Sequence, residues 1–337
     1  MLVSILLWLV GGLIVVAFVA TGYMVLATRR IAADAERQVP PVGQFVEIDD
    51  NRIHYVDAGE GLPIVFLHGL GAQLHHFLHP LFGRFGPGYR LIALDRPGSG
   101  YSVRADGATG RLPEQAEVVR RFIETLGLEK PLVVGHSLGG AIALTLAVKH
   151  PDAISGIALL APLTHMERRI RGLFKAIYIP STLLRAILAN TIAMPMSLRY
   201  AGPTLDLVFS PQSPPADYGT AGGGWLGLRP SHFYATSTDL VAIEHDLGHV
   251  EQRYGEITMP TGILFGTSDH VLGIGVHGRP MIEKIKELDF ESIKGLGHMP
   301  QFIEPERIIA FIKRIADRAF ADRRSPLTHD NFTEPSG

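Results

Sequence analysis

Four short runs in this chain carry no polar side chain at all: Ile64-Val65-Phe66-Leu67, Leu91-Ile92-Ala93-Leu94, Leu132-Val133-Val134 and Ile157-Ala158-Leu159-Leu160. A strand with one wet face alternates polar and apolar residues, whereas a strand covered on both faces reads as an unbroken apolar stretch. The four runs therefore predict buried parallel strands. Between them the spacing becomes helical. Glu114 to Leu126 places Val118, Val119, Phe122, Ile123 and Leu126 three or four residues apart and stops at Gly127, and Ala141 to His150 forms a second, more apolar helix stopped by Pro151. Buried strands alternating with helices require right-handed crossovers, so the pattern predicts an α/β fold with a mostly parallel, doubly wound sheet. An antiparallel hairpin should precede it, with Phe45 to Ile48 and Arg52 to Val56 flanking Asp49-Asp50-Asn51. Two more strands, Thr261 to Phe265 and Phe290 to Ile293, and a helix from about Pro305 to Phe320 complete a domain expected over residues 45–322.

The alternation breaks from Leu163 to about Ser237. This stretch carries Arg168, Arg169 and Arg171, then Pro180, Pro195, Pro203, Pro211, Pro214 and Pro215 and a Gly222-Gly223-Gly224 run, with helical spacing such as Leu183 to Ala193 between them. It predicts a helical cap inserted at residues 163–237. Residues 323–337, polar and ending in Glu334-Pro335-Ser336-Gly337, are expected to be disordered.

At the other end, no Asp, Glu, Lys, Arg or His occurs from Leu2 to Thr28. That run exceeds the ~20 apolar residues that cross a bilayer as a helix. A cleaved signal peptide would have a basic start and a shorter apolar core. The prediction is a single N-terminal transmembrane anchor over residues 1–28, followed by a juxtamembrane linker at 29–44 with Pro40 and Pro41. Arg29 and Arg30 directly after the span place the following domain on the cytoplasmic side by the positive-inside rule. The anchor also accounts for a hydrophobic fraction of 46% against 19% charged residues. With 31 basic and 33 acidic side chains the net charge is −2, which gives no field to attract nucleic acid. Cysteine is absent, which excludes disulfides, thiolate nucleophiles and Cys-ligated metals.

Chemistry concentrates at strand ends. Gly135-His136-Ser137-Leu138-Gly139 is a G-x-S-x-G sequence after one apolar strand and before a helix. A strand-to-helix turn that sharp strains the residue at its tip and needs small neighbours two positions away. It presents the Ser137 hydroxyl at a helix N-terminus, where N–H groups favour a developing oxyanion. A hydroxyl needs a base to become nucleophilic. His298, in the glycine-flanked loop Lys294-Gly295-Leu296-Gly297-His298-Met299-Pro300 after the last strand, is placed to fold back over the sheet edge. Asp269, in Gly266-Thr267-Ser268-Asp269-His270 after the preceding strand, is placed to orient it. The loop His68-Gly69-Leu70-Gly71 follows another strand, so the backbone N–H groups of Leu70 and Leu138 are the expected oxyanion hole, with His68 itself structural. His245 and His249 have a spacing that can grip zinc, but the intervening residues do not form HExxH, Gly248 weakens the helix, and the segment's apolar positions suit core packing. His75, His76 and His79 cluster after the oxyanion loop and suit burial or substrate contact better than coordination. Phe174, Tyr178, Tyr218, Trp225 and Tyr234 of the cap could line an acyl pocket or pack in a core.

Taken in order, the segments HGLG, DRPGSGYS, GHSLGG, GTSDH and GLGHMP resemble the α/β-hydrolase superfamily, in particular its cap-bearing branch of esterases, lipases and carbon–carbon bond hydrolases; the resemblance runs from about Phe45 to Phe320. It implies a Ser-His-Asp hydrolase acting on a carboxylic ester or lipid-like acyl substrate through an acyl-enzyme, with no metal or organic cofactor and no nucleic-acid partner. Serine at 137 departs from the epoxide hydrolases and haloalkane dehalogenases of that branch, which have Asp there. The N-terminal span is similar in layout to membrane-anchored monoacylglycerol lipases. A carbon–carbon bond hydrolase and an acyltransferase would use the same three residues, and a tethered scaffold without catalysis is the alternative of a different class.

Overall fold

The computed structural model of the protein describes residues 1–167, 172 and 174–324; Arg168, Arg169 and Arg171 of the expected cap, and the expected tail beyond Arg324, lie outside the described residues. An eight-stranded sheet runs in the order β1-β2-β4-β3-β5-β6-β7-β8. Its strands are β1 (Gln44–Ile48), β2 (Asn51–Ala58), β3 (Gly61–Leu67), β4 (Gly88–Leu94), β5 (Leu132–His136), β6 (Gly156–Leu160), β7 (Thr261–Gly266) and β8 (Asp289–Ile293). β1 and β2 pair antiparallel, and β2 joins β4 antiparallel; every other pairing is parallel. The β1–β2 hairpin closes through Asp49 and Asp50, both at positive φ (45° and 62°), the twist that a two-residue hairpin loop requires.

The unbroken apolar runs are buried on both faces, as their composition demands. Val65 and Leu67 of β3 pack toward the helices α3 (Leu112–Thr125) and α4 (Leu138–Lys149), whereas Ile64 and Phe66 pack toward α2 (His75–Leu81) and the terminal helix Pro305–Ala319. The sheet is thus the middle of three layers. α4 begins at Leu138, earlier than its apolar spacing suggested, because Ser137 itself is the hinge from β5.

Helices fill the connection between β6 and β7: α5 (Phe174–Ile177), α6 (Thr182–Asn190), α7 (Ala193–Arg199), α8 (Ala201–Phe209) and α9 (Pro230–Glu251). The helical segment does not end at Ser237, since α9 continues to Glu251. Salt bridges tie α9 to the body: buried Asp239 meets Arg96 at 2.6 Å and also pairs with Arg104, while Asp246 pairs with Arg111. An acidic residue alone in that position would be costly, so the guanidinium partners fix where the helix lies.

The N-terminal helix α1 (Leu2–Gln38) corrects the expected boundary. It does not stop at Thr28, so residues 29–38 are helical rather than an irregular linker. Ala32-Ala33-Asp34-Ala35-Glu36-Arg37 is rich in strong helix formers, and tertiary contact rewards their order. Ala35 packs with Ala193, Met194 and Leu228, with Ile31, Trp225 and Phe233 around them. The Thr28 hydroxyl donates to the Thr191 carbonyl, and Glu36 pairs with Arg229 at 2.7 Å. No residue in the most apolar window of α1 is buried by the rest of the protein, and the helix is long and apolar enough to cross a bilayer.

Candidate active site

Five of the loops named above leave the same edge of the sheet, the carboxyl ends of its parallel strands, where open α/β sheets bind ligands. Ser137 stands at the end of β5 with φ 53° and ψ −118°, a conformation that costs a non-glycine residue strain. Its surroundings explain why small residues flank it. A Cβ on Gly135 would lie 2.6 Å from the Gly139 carbonyl, one on Gly140 would lie 2.6 Å from Pro162, and one on Gly139 would collide with the carbonyls of Leu67 and His68. The turn is held by Ser137 N–H donating to the Leu160 carbonyl at 3.0 Å, with the Ser137 carbonyl accepting from Gly140 and Leu163.

Asp269 and His298 come together from the ends of β7 and β8. His298 Nδ1–H donates to Asp269 Oδ2 at 2.7 Å in a buried contact. Asp269 Oδ1 accepts from the Val271 and Leu272 N–H groups, both at 2.8 Å. Burial alone would raise the pKa of this carboxyl; the facing His298 and the two backbone donors outweigh it and hold the pKa below the ordinary value. With the proton fixed on Nδ1, the Nε2 lone pair of His298 is the free end of the ring. Among the described residues, the hydrogen bonds include the Asp269–His298 link and none between His298 and the Ser137 hydroxyl. The ring of His136, next to Ser137 in the chain, lies 4.9 Å from that of His298.

The loop after β3 lies against the same point. A Cβ on Gly69 would approach Ser137 Cβ to 3.0 Å, tighter than an ordinary side-chain contact, so glycine eases the close approach of the 68–71 loop. Leu138 is the first residue of α4, where the leading N–H groups lack intrahelical partners. Neither its N–H nor that of Leu70 donates a hydrogen bond among the described residues. His68 is structural, as expected. Its Nε2 accepts from Arg96 N–H at 2.9 Å and its Nδ1 donates to the Gly69 carbonyl at 2.9 Å, and burial keeps the ring neutral by lowering its pKa well below the usual value.

Three features escaped sequence reasoning. His136 Nε2–H donates to the His298 carbonyl at 2.9 Å, and burial pushes its own pKa down to about 3, so a neutral ring pins the loop that carries His298. Gln212 straps the same loop from the cap, donating to the Gly295 carbonyl at 2.8 Å and accepting from Gly297 N–H at 3.0 Å. A second His–Asp contact, His54 Nδ1 to Asp95 Oδ2 at 2.7 Å, duplicates the local chemistry without its use, because His54 Nε2 is occupied by the Val42 carbonyl. Spacing alone could not have paired residues so distant in the chain.

His245 and His249 are exposed on α9. His76 is buried, accepting from the Tyr218 hydroxyl at 3.0 Å. Of the cap aromatics, Tyr218 packs on Phe209 and Phe302, Trp225 packs against α1, Tyr234 lies under the Arg185 guanidinium, and Tyr178 donates to Glu244. Phe174 is half-buried on α5. Asn51, Pro97, Arg104 and Gln115 line a surface cavity of about 540 Å³, which is lined by none of Ser137, Asp269 and His298.

Residues 63–178 match the family model described as alpha/beta hydrolase fold. The chain is 26% identical to a 2-hydroxy-6-oxo-6-phenylhexa-2,4-dienoate hydrolase of Burkholderia cepacia, over 77% of this chain and 91% of that protein. It is 39% identical to the dihydrolipoyllysine-residue acetyltransferase component of the acetoin cleaving system of Cupriavidus necator, but that match spans only 35% of this chain and 32% of the relative's length. The crystal structure of a membrane phospholipase A, described as a bacterial virulence factor, superposes with a TM-score of 0.66 at 25% identity, covering 96% of this chain and 99% of that one. Sheet order, strand-end loops and these matches define one class of protein, an open α/β sheet with its reactive loops at one edge. The chain belongs to the α/β-hydrolase superfamily.

Proposed function

We propose that the protein is a membrane-anchored serine hydrolase that cleaves a carboxylic ester or lipid-like acyl substrate. The observation that carries this reading is the pairing of Asp269 and His298 beside a serine at the strained tip of a strand-to-helix turn. Ser137 attacks the acyl carbonyl as His298 Nε2 takes its proton, and Asp269 holds the ring and stabilises the imidazolium. The N–H groups of Leu70 and Leu138 bind the oxyanion of the tetrahedral intermediate. His298 then gives its proton to the leaving alcohol, and water, activated by the same ring, releases the acid from the acyl-enzyme.

Two observations favour lipid-like esters. α1 is uncharged over its first 27 residues after Met1 and long enough to span a bilayer. The phospholipase A that superposes on this chain covers 96% of it, far more than the sheet domain alone. α1 acts as the anchor, with Arg29 and Arg30 on the cytoplasmic side together with the hydrolase domain. Carbon–carbon bond cleavage is the second reading, favoured by the match to the Burkholderia cepacia enzyme over 91% of its length.

The test is a substrate panel with the purified full-length protein in detergent micelles, comparing acylglycerol and phospholipid esters with vinylogous diketones and following the fate of the acyl group. Turnover of the esters with water as acceptor supports the proposal. Turnover of diketones alone, or transfer to an added alcohol without hydrolysis, refutes it.

A further inference from the structure

The cap carries an apolar surface that its own packing does not use. On α6 the buried positions are Arg185 and Ala189, while Leu183 (70% exposed), Leu184 and Ile187 face outward. Ile192, Met196 and Leu198 continue the exposed surface along α7. This inverts the usual amphipathic arrangement, in which apolar residues face the core. The inversion is enforced by Arg185, whose guanidinium is turned inward to the Ile179 carbonyl, Ser237 and Thr238. From Thr182 to Phe209 the only other ionisable side chains that carry charge are Arg199 and Asp206. Six exposed apolar side chains along two helices that pack on one another mark an interaction surface rather than a free surface in water.

Its position says what covers it. The Thr28 hydroxyl donates to the Thr191 carbonyl, so α1 leaves the protein body directly beside Ile192. Residues 2–27 of a helix measure about 39 Å, more than the ~30 Å hydrocarbon layer, so the end of the span that meets the body lies at the membrane interface. Arg29 and Arg30 follow at headgroup level. α7 packs on Ile31 and Ala35 of α1 through Ala193 and Met194, and α6 contacts both α1 and α7, which puts the two cap helices beside that end of the span.

We infer that the outward face of α6 and α7 is seated in the lipid surface next to α1, so that the cap docks on the bilayer as a second, in-plane contact. This rests on α1 being the membrane anchor. The docked face is joined to the candidate active site by the chain itself: α7 is followed by α8, which ends at Phe209, and Gln212 beyond it straps the loop of His298. An acyl chain leaving the lipid layer therefore meets the cap at the elements that lead to the base.

The chain lacks cysteine, so single cysteines can report depth. Ile187→Cys and Leu198→Cys, on two different cap helices, are labelled with an environment-sensitive fluorophore in the full-length protein reconstituted into phosphatidylcholine vesicles. Val16→Cys reports on α1, and Asp152→Cys, in the loop before β6 at the opposite edge of the sheet, reports the aqueous face. Each variant is first checked for native circular dichroism, and the two cap positions stand in for one another. The expected result is quenching of both cap labels by nitroxide-bearing lipid and shielding from aqueous iodide, as at Val16, with the reverse at Asp152. Cap labels that behave like Asp152 while Val16 is quenched overturn the docking and leave the anchor intact. If Val16 also escapes lipid quenching, the anchor is what has failed, and the docking with it. Cap labels shielded from both quenchers, with Ile187→Cys forming a disulfide between copies, assign the face to a second chain and also overturn the proposal.

Discussion

Replacing Asp269 by Asn tests the electrostatic logic of the site with almost no change in shape. Asp269 Oδ1 accepts two backbone N–H groups at 2.8 Å, so the Asn oxygen is held in that place and its amide nitrogen takes the position of Oδ2. The amide N–H then points at His298 Nδ1, which must become an acceptor, and the ring proton moves to Nε2, where it blocks proton abstraction from Ser137. Flipping the amide to restore the working tautomer would leave two buried N–H donors unpaired at about 1–3 kcal/mol each. The working tautomer is therefore disfavoured by about 2–6 kcal/mol, a loss in kcat of roughly 30-fold to 10⁴-fold. The assay is the initial rate of hydrolysis of an activated acyl ester by the full-length protein, alongside thermal unfolding to show that the fold is unchanged. An Asn variant within threefold of wild-type kcat would refute the assignment of Asp269 as the residue that orients the base.

Two further outcomes follow from buried groups. The His136 pKa is pushed down to about 3 by burial and by the neighbouring His298, so the unfolded chain takes up a proton near pH 6.5 that the folded one refuses. Its contribution to stability is present above pH 6.5 and is lost as pH falls toward 3, by about 2 kcal/mol between pH 6.5 and 5; His136→Gln should flatten the decline in denaturation midpoint over that range, and an unchanged slope would contradict the assignment. Phe122 is fully buried on α3 and meets Tyr55 edge-on with ring centroids 5.3 Å apart; Phe122→Ala should lower stability by about 3–5 kcal/mol in urea unfolding, and a loss under 1 kcal/mol would mean that the helix does not pack on the sheet as described.

Local sequence was informative wherever chemistry is local. All eight strands follow from unbroken or alternating apolar runs, and the Ser137 turn follows from glycines whose Cβ atoms have nowhere to go. Asp269 and His298 could be placed because each lies in a short loop just after a strand, and parallel strands deliver such loops to one edge. Contacts between distant segments were beyond such reasoning. Nothing in Arg29 to Gln38 alone says that Ala35 will find Met194, and a helical stretch of that length gains order from such tertiary contacts. In the cap, prolines and glycines punctuate the chain without fixing how α6 to α9 pack, so neither the inward turn of Arg185 nor the Gln212 strap could be read. His136 sits at a position of the G-x-S-x-G motif that the turn geometry leaves free, and its bond to the His298 loop appears only when β5 and β8 share one sheet.

The central claim is that Ser137 is the nucleophile, made reactive by His298. Mass-spectrometric mapping of a fluorophosphonate adduct on the wild-type protein and on Ser137→Ala tests it most directly. A covalent adduct on the peptide containing Ser137, abolished in the Ala variant together with ester turnover, is the predicted result. An adduct on another residue, or undiminished turnover without the Ser137 hydroxyl, would contradict it.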